Sequence, residues 1–518
     1  MNDGGIKKPF AETMSELSRR RAKAYRMGGE EKLAKRRAEG NLNARERLEV
    51  LLDDGNFNEL GLLAKSYREE VRHKSAADGK ISGFGTIEGR PVAVVSNDFT
   101  VLGASSSVIN GKKMKHIKDI AEKHGIPVIY LGESTGARMP DRMGAPGRAI
   151  LGQDPTEYLR TRRTPWVSAL LGDCYGSSTW YTCLSDFVTM RKGATMAVAS
   201  SRVTSLAINQ PIDPEDLGGW KLHTATTGLA DVAVDTDEAT LEEIKVFLSY
   251  LPSHNGETPP MRAVPAHHVE RGHELIDVLP ENRGSIYDVK DIIERIVDVD
   301  SLYELKKRFG KSVITALSRI NGRTVGIVSN NPKSQGGAIT IDAIRKATSF
   351  LVLCDSFNIP IVFLVDQPGF LIGISGEKRW APGRIMNWMN ALSLCTVPKI
   401  AITMRKNYGQ AYLNMGGGRL SDVQASWPMA DFGFMDPKFG VNVLHQIKEE
   451  DDPEKFAELV EEIEQDSSAW ALADLYEAQV ILDPAETRSF LVNTLNVLGG
   501  QNGGVIGEHR LSNWPTSY

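Results

Sequence analysis

Glu88-Gly-Arg-Pro-Val-Ala-Val-Val-Ser-Asn97 and Asn321-Gly-Arg-Thr-Val-Gly-Ile-Val-Ser-Asn330 are two versions of one pattern, offset by 233 residues (321 − 88). Each opens on a residue followed by Gly and runs into β-branched side chains, the mark of a turn feeding a buried strand. The offset recurs. Ile126-Pro-Val-Ile-Tyr-Leu131 aligns with Ile359-Pro-Ile-Val-Phe-Leu364, Gly136 with Gly369, and Tyr175-Gly176 with Tyr408-Gly409. Leu184-Ser-Asp186 aligns with Leu420-Ser-Asp422 at an offset of 236, leaving room for three extra residues near Gly416-Gly-Gly418. Several ordered matches at one offset imply a tandem duplication. Within a copy, Val92–Ser96, Lys112–His124 and Val128–Leu131 alternate strand, helix and strand. That alternation predicts an α/β fold with largely parallel sheets.

Outward from the repeats, residues 1–75 carry two helical stretches, Met14–Gly29 and Glu30–Leu52, split at Gly28-Gly29 and stopped at Asp53-Asp54-Gly55. Arg19, Arg20, Arg21, Lys23, Arg26, Lys32, Lys35, Arg36 and Arg37 crowd this segment. A solvated helical arm is the favoured reading, and a basic clamp for phosphates or a partner subunit the alternative. The expected organisation is a helical arm at 1–75, a first domain at 76–255, a linker at 256–300 and a second domain at 301–518, with Pro and polar residues concentrated at Leu251–Val269.

The chain has 518 residues, too many for one core. A net charge of −5 argues against nucleic acid as a partner. No apolar run of about 18 residues predicts a membrane span, and the first residues lack the apolar stretch of a signal peptide. A cytoplasmic protein is expected, or a matrix protein if the source is eukaryotic. Cys174, Cys183, Cys354 and Cys395 have no C-x-x-C spacing. Neither a metal site nor a disulfide framework is expected, and buried reduced thiols are.

Each copy places glycine after a buried strand twice: Gly136 and Gly176 in the first, Gly369 and Gly409 in the second. Glycine at a strand end lets the backbone approach a ligand, and two N–H groups there can form an oxyanion hole for a thioester enolate. A single such glycine is more often only a turn former; four at matching positions favour function. Asp186 with Asp422, and Asp213 with Glu215, are read as caps before acid–base groups. His223 is read as structural first.

These residues resemble the carboxyltransferase subunits of biotin-dependent acyl-CoA carboxylases, of the propionyl-CoA and methylcrotonoyl-CoA β type. The resemblance is carried by Asn43-Ala-Arg-Glu-Arg-Leu48, Asn97-Asp-Phe-Thr-Val101, Gly172–Phe187, Glu215-Asp-Leu-Gly-Gly219, Asp366-Gln-Pro-Gly-Phe370, Arg405-Lys-Asn-Tyr-Gly409 and Gly440-Val-Asn-Val443. It implies two crotonase-like domains in tandem. By resemblance, the first binds the coenzyme A thioester with its acyl carbonyl on the backbone at Gly176 and Ser177. The second holds the carbonyl of biotin, carried on a partner protein, on the backbone at Gly409, Gln410 and Ala411. Gly136, Ala137, Arg138, Gly369, Phe370, Tyr412 and Leu413 are the implied substrate-binding residues. Leu413, with Trp380 and Trp388, hints at an apolar or bulky acyl group. The implied reaction moves a carboxyl group from carboxybiotin to the α or vinylogous carbon of an acyl-CoA through an enolate. The implied assembly is a homo-oligomer, a dimer at least and a hexamer by resemblance. A biotin carboxylase and a biotin carboxyl carrier are implied partners. No Met-Lys-Met site and no G-x-x-x-x-G-K-[ST] loop occur, so biotin and ATP chemistry would come from those partners. The chain departs from the family's usual Gly-Gly at Gly176-Ser177 and at Gly409-Gln410. A carboxyl-acyl-CoA decarboxylase and a non-catalytic assembly subunit stay open as alternatives.

Overall fold

The two repeated turns fold as tight hairpins. Strands β2 (Lys80–Ile87) and β3 (Arg90–Asn97) join at Glu88-Gly89, and β10 (Val313–Ile320) and β11 (Arg323–Asn330) join at Asn321-Gly322. Both central residues of each turn have positive φ: 50° and 75° in the first, 50° and 78° in the second. This is the twist a two-residue hairpin needs. A carboxylate grips each turn: Asp53 accepts from the N–H groups of Glu88 and Gly89, and Asp298 from those of Asn321 and Gly322.

The computed structural model describes residues 10–145, 155–499 and 508–515. It divides into two units: Met1–Arg160 with Thr164–His223 and Val232–Leu248, and Thr161–Arg163 with Thr224–Asp231 and Ser249–Tyr518. The first unit adds β1 (Phe57–Leu60), β4 (Val128–Ser134), β5 (Trp166–Tyr175), β6 (Phe187–Arg191), β7 (Thr195–Ala197) and β8 (Val232–Val234). Its sheet runs β1-β2-β3-β4-β5-β6-β8, with β7 on β5. The second adds β9 (Tyr303–Leu305), β12 (Ile361–Gln367), β13 (Lys399–Tyr408), β14 (Val423–Ser426), β15 (Asp431–Gly433) and β16 (Val480–Ile481). Its sheet runs β9-β10-β11-β12-β13-β14-β16, with β15 on β13. The first three strands of each are antiparallel and the rest parallel. Every strand of one unit therefore has its counterpart in the other, which is the duplication read from the offset. Val92–Val95 and Ile361–Val365 are fully buried in their sheets, as parallel strands covered on both faces must be.

Three expectations need correction. The arm is not simply solvated. The helix Ala11–Tyr25 buries only Ala24, but Arg36 and Arg47 are buried, pairing with Glu133 at 2.8 Å each, and Arg47 also with Asp237 at 3.1 Å. A buried arginine persists because its charge is matched. The stretch Glu30–Leu52 is two helices, Glu30–Ala38 and Ala44–Leu51, because Asn43 starts the second with a capping box closed by Glu46. The segment 256–300 is more than a linker. Its helix Val289–Ile296 buries Val289, Ile292, Ile293 and Ile296 in the second core.

Candidate functional site

The four glycines lie where strands β4, β5, β12 and β13 end. In the first unit the two loops meet. A Cβ built on Gly176 would stand 3.4 Å from Gly136 Cα and 3.7 Å from Ala137 N, and one on Gly136 would stand 3.5 Å from Tyr175 Cβ. With φ of 100° and 63°, neither position accepts a side chain without strain.

Hydrogen bonding shows which N–H groups are left over. Ser106 donates its N–H to Gly136 O and accepts from Arg138 N, so the N–H of Ala137 faces away from that bridge. Ser177 opens the helix Ser177–Cys183, and the N–H groups of Thr179 and Trp180 already point to Gly176 O. The N–H groups of Ser177 and Ser178 then have no intrahelical acceptor. The loops that carry the Ala137 and Ser177 N–H groups thus approach closely with these donors unspent locally, and a partial negative charge held by both would be stabilised by dipoles that need no rearrangement.

The second unit repeats the plan. Ile339 donates to Gly369 O and accepts from Leu371 N, turning the N–H of Phe370 outward. Gln410 precedes the turn Ala411–Asn414, with Tyr412 N donating to Gly409 O. This cradle is more open. A Cβ on Gly369 meets nothing within 4 Å, and one on Gly409 meets only Phe434 O at 3.2 Å.

Side chains at the predicted positions divide into those at the loops and those turned away. Ala137 and Gln410 are exposed, and Gly176, Ser177, Gly369, Phe370 and Leu413 are partly exposed. Arg138 is buried and pairs with Asp78 at 2.7 Å and with Ser105, so its guanidinium is engaged in holding the loop. Ala411 is fully buried, and only its backbone can serve. Tyr412 packs edge-on to Phe432 and donates to Gln424 Oε1 at 3.2 Å. Trp388 is fully buried and so cannot line an acyl pocket, whereas Trp380 is exposed.

The remaining candidates are structural. Asp186 accepts from Trp166 N and Arg160, and Asp422 from Lys399 N, one strand start in each copy. Asp213 caps the helix Pro214–Gly218. His223 bonds Met196 O at 2.8 Å, and burial lowers its pKa, keeping the ring neutral.

One further feature falls on the basic arm, for which a phosphate clamp is the alternative reading, and a second escaped the sequence reading. A cavity of about 540 Å³ in the first unit is lined by Arg19, Lys23, Arg26, Lys32, Lys65 and Lys74, and among the described residues no carboxylate lines it. Gly28 and Lys32 tie it to Thr100, whose loop continues to Gly103, the acceptor for Thr135 N beside Gly136. The second feature lies under Ser178, where Tyr130, Asn97 and Lys80 form a buried polar chain. A position-by-position comparison of the copies carries its signal: the counterparts of Tyr130 and Ser178 are Phe363 and Ala411, each lacking one hydroxyl.

Comparison with known proteins supplies the chemistry. A model of the carboxyl transferase domain family matches residues 35–502. The propionyl-CoA carboxylase carboxyltransferase subunit of Haloferax mediterranei is 34% identical over 503 residues, 94% of this chain and 96% of that protein. The methylmalonyl-CoA decarboxylase subunit alpha of Veillonella parvula is 32% identical over 494 residues, 94% of this chain and 95% of that one. The crystal structure of transcarboxylase 12S, a hexamer assembly with methylmalonyl-coenzyme A and methylmalonic acid bound, matches with a TM-score of 0.88 at 31% identity. It covers 95% of this chain and 97% of that one. Among the described residues, no helix is long and apolar enough to cross a membrane.

Proposed function

This chain belongs to the carboxyl transferase family of biotin-dependent acyl-CoA carboxylases, and we propose that its first unit holds the acyl thioester and its second the biotin. The observation that supports the assignment is the close approach of the Gly136 and Gly176 loops, where a Cβ on Gly176 would stand 3.7 Å from Ala137 N, with the N–H groups of Ala137 and Ser177 outside the local hydrogen bonds. A thioester carbonyl is flat and small enough for that closed hole. Its oxygen gains negative charge as the α-carbon becomes an enolate, and the two donors strengthen as that charge grows. No side-chain acid or base is needed at the carbonyl. The basic cavity beside the same loop takes the nucleotide phosphates of coenzyme A, its cations supplying the charge match.

The second cradle fits a bicyclic urea better: the space beside Gly369 is open, and the N–H groups of Phe370 and Gln410 suit a urea oxygen. Biotin, when bound on its carrier, supplies the carboxyl group or accepts it. Gly409, Phe370 and Gln410 orient its carbonyl, and the side chain of Gln410 closes part of the space a second glycine would leave. The chain works in the cytoplasm, with a biotin carboxylase and a biotin carboxyl carrier. It assembles at least as a dimer, and as a hexamer in the manner of the 12S relative.

The direct test is carboxyl transfer from methylmalonyl-CoA to free biotin by the purified chain, followed as propionyl-CoA by chromatography. Biotin-dependent loss of the carboxyl group is expected. No reaction with methylmalonyl-CoA, with malonyl-CoA or with the carboxylated products of methylcrotonoyl- and long-chain acyl-CoA would overturn the proposal. The relative from Veillonella favours a second reading, in which the same site runs as a decarboxylase. Net propionyl-CoA formation with the native biotin carrier and no ATP-driven carboxylase partner would select it.

A further inference from the structure

Lys80, Asn97, Tyr130 and Ser178 are all buried to 2% exposure or less in the first unit. The Lys80 ammonium donates to Asn97 Oδ1 at 2.8 Å. The Asn97 amide donates to Tyr130 OH at 2.9 Å, to Glu133 O at 3.0 Å and to Ser178 Oγ at 3.3 Å. Tyr130 OH and Ser178 Oγ share a hydrogen bond of 2.6 Å. The chain of bonds ends on the residue next to Ser177, under the turn that carries the thioester donors.

The second unit is an internal control. At the matching positions it has Val313, Asn330, Phe363 and Ala411, all fully buried. There the asparagine amide reaches only the Met415 sulfur, at 3.8 Å, and its oxygen accepts from Asp366 N. The same fold therefore closes with apolar groups in these places. Burying an ammonium and two hydroxyls costs desolvation that an apolar set avoids, so the fold alone does not account for them.

We propose that Lys80, Asn97 and Tyr130 are positioning residues for the thioester site, gripping the Ser178 hydroxyl so that the neighbouring Ser177 N–H stays aimed, with that of Ala137, at the developing oxyanion. Ser178 Oγ bonds Asn97 and Tyr130, which lie on different strands, and this fixes the turn in two directions. The Lys80 charge polarises the chain of donors toward the oxyanion side, where low dielectric strengthens its effect. Burial raises the Tyr130 pKa, so its O–H remains a donor across the working range. This inference rests on the reading of the first unit as the thioester site.

The test uses Tyr130→Phe and Ser178→Ala, each installing the side chain that the second unit carries at that position, with Lys80→Met as a third variant. Transfer from methylmalonyl-CoA to free biotin gives kcat and KM. Isotope-edited infrared spectroscopy of bound [1-13C]propionyl-CoA gives the carbonyl stretch, and calorimetry gives the Kd of CoA alone. We expect kcat to fall about 5- to 20-fold in each variant. KM and the CoA Kd should stay within twofold, and the carbonyl band should shift back toward its position in free thioester. Unchanged kcat and an unmoved band would overturn the proposal, as would parallel loss of CoA binding and thermal stability, which marks a purely structural role. A wild-type chain that transfers no carboxyl group would instead overturn the functional reading beneath it.

Discussion

The first and second copies share a register but bury different chemistry. Beneath Gly176 the first carries Lys80, Tyr130 and Ser178; beneath Gly409 the second carries Val313, Phe363 and Ala411. In the first, a Cβ added to either glycine would meet the other loop at 3.4–3.5 Å; in the second, a Cβ added to either would not meet the opposite glycine loop within 4 Å. Duplication supplied two copies of one scaffold. What then diverged is the layer under the donors and the room above them. The first becomes a closed hole for a carbonyl that acquires charge, the second a wider cradle for a ligand that must be held.

The largest expected effect tests a buried carboxylate that both copies carry at the end of a central strand. Glu133 and Asp366 occupy matching positions at the ends of β4 and β12, both buried. Glu133 is served by Arg36 and Arg47 from the arm. Asp366 is served by Arg405 at 3.0 Å, by Lys406 and by the Tyr287 hydroxyl. Removing one partner of a buried pair leaves an uncompensated charge, at about 3–5 kcal/mol. Glu133→Gln and Asp366→Asn should each lower thermal stability by that order in calorimetry. Only Glu133→Gln should open the arm to limited proteolysis near Arg36. Equal proteolysis in both variants would break the comparison.

Next come the glycines. Gly176→Val forces a branched side chain against Gly136 at a φ of 63° and should cost about 10²–10³ in kcat through misplaced donors. Gly409→Val, at a φ of 65° and facing Phe434 O, should cost a similar factor while leaving propionyl-CoA binding intact by calorimetry. If Gly409→Val abolishes that binding and Gly176→Val does not, the two units have been assigned the wrong way round.

The fold was legible because the offset of 233 marks turns and buried strands, which depend on local residue types. The glycine loops were legible for the same reason. What escaped depends on partners far along the chain. Arg36 and Arg47 look like surface charge until Glu133, about a hundred residues away, is seen to meet them. Arg138 stands beside the right glycine but is consumed by Asp78. The segment 256–300 is polar and Pro-rich on average, which hides the four-residue apolar face of Val289–Ile296. Tyr130 reads as one more apolar strand residue, and only the hydroxyl missing from Phe363 betrays it.

The smallest effect concerns a pair of lysines at one position of the repeat, Lys113 and Lys346, on the helices Val108–His124 and Ile341–Ser356. Lys113 donates to the carbonyls of Gly61, Ala77 and Lys80. Lys346 is fully buried and its ammonium makes no hydrogen bond among the described residues. Burial lowers both pKa values, to about 8 for Lys113 and about 7 for Lys346. For Lys346 the native state releases its proton near pH 7, whereas the unfolded chain keeps it up to the ordinary lysine value of 10.5. Between these limits the unfolded state binds more protons, so this group makes stability rise with pH. Below about pH 7 its destabilising effect is fully present. Lys346→Met should therefore stabilise the protein, by about 1–3 kcal/mol at pH 6 and progressively less as the pH approaches 10. Lys113→Met should do the reverse at pH 6, because it removes a donor shared by the buried carbonyls of Ala77 and Lys80 and by that of Gly61. Calorimetric melts of both variants from pH 6 to 10 decide the matter. If Lys346→Met destabilises at pH 6, the ammonium has a partner in solution, such as a bound water, and the two lysines are equivalent after all.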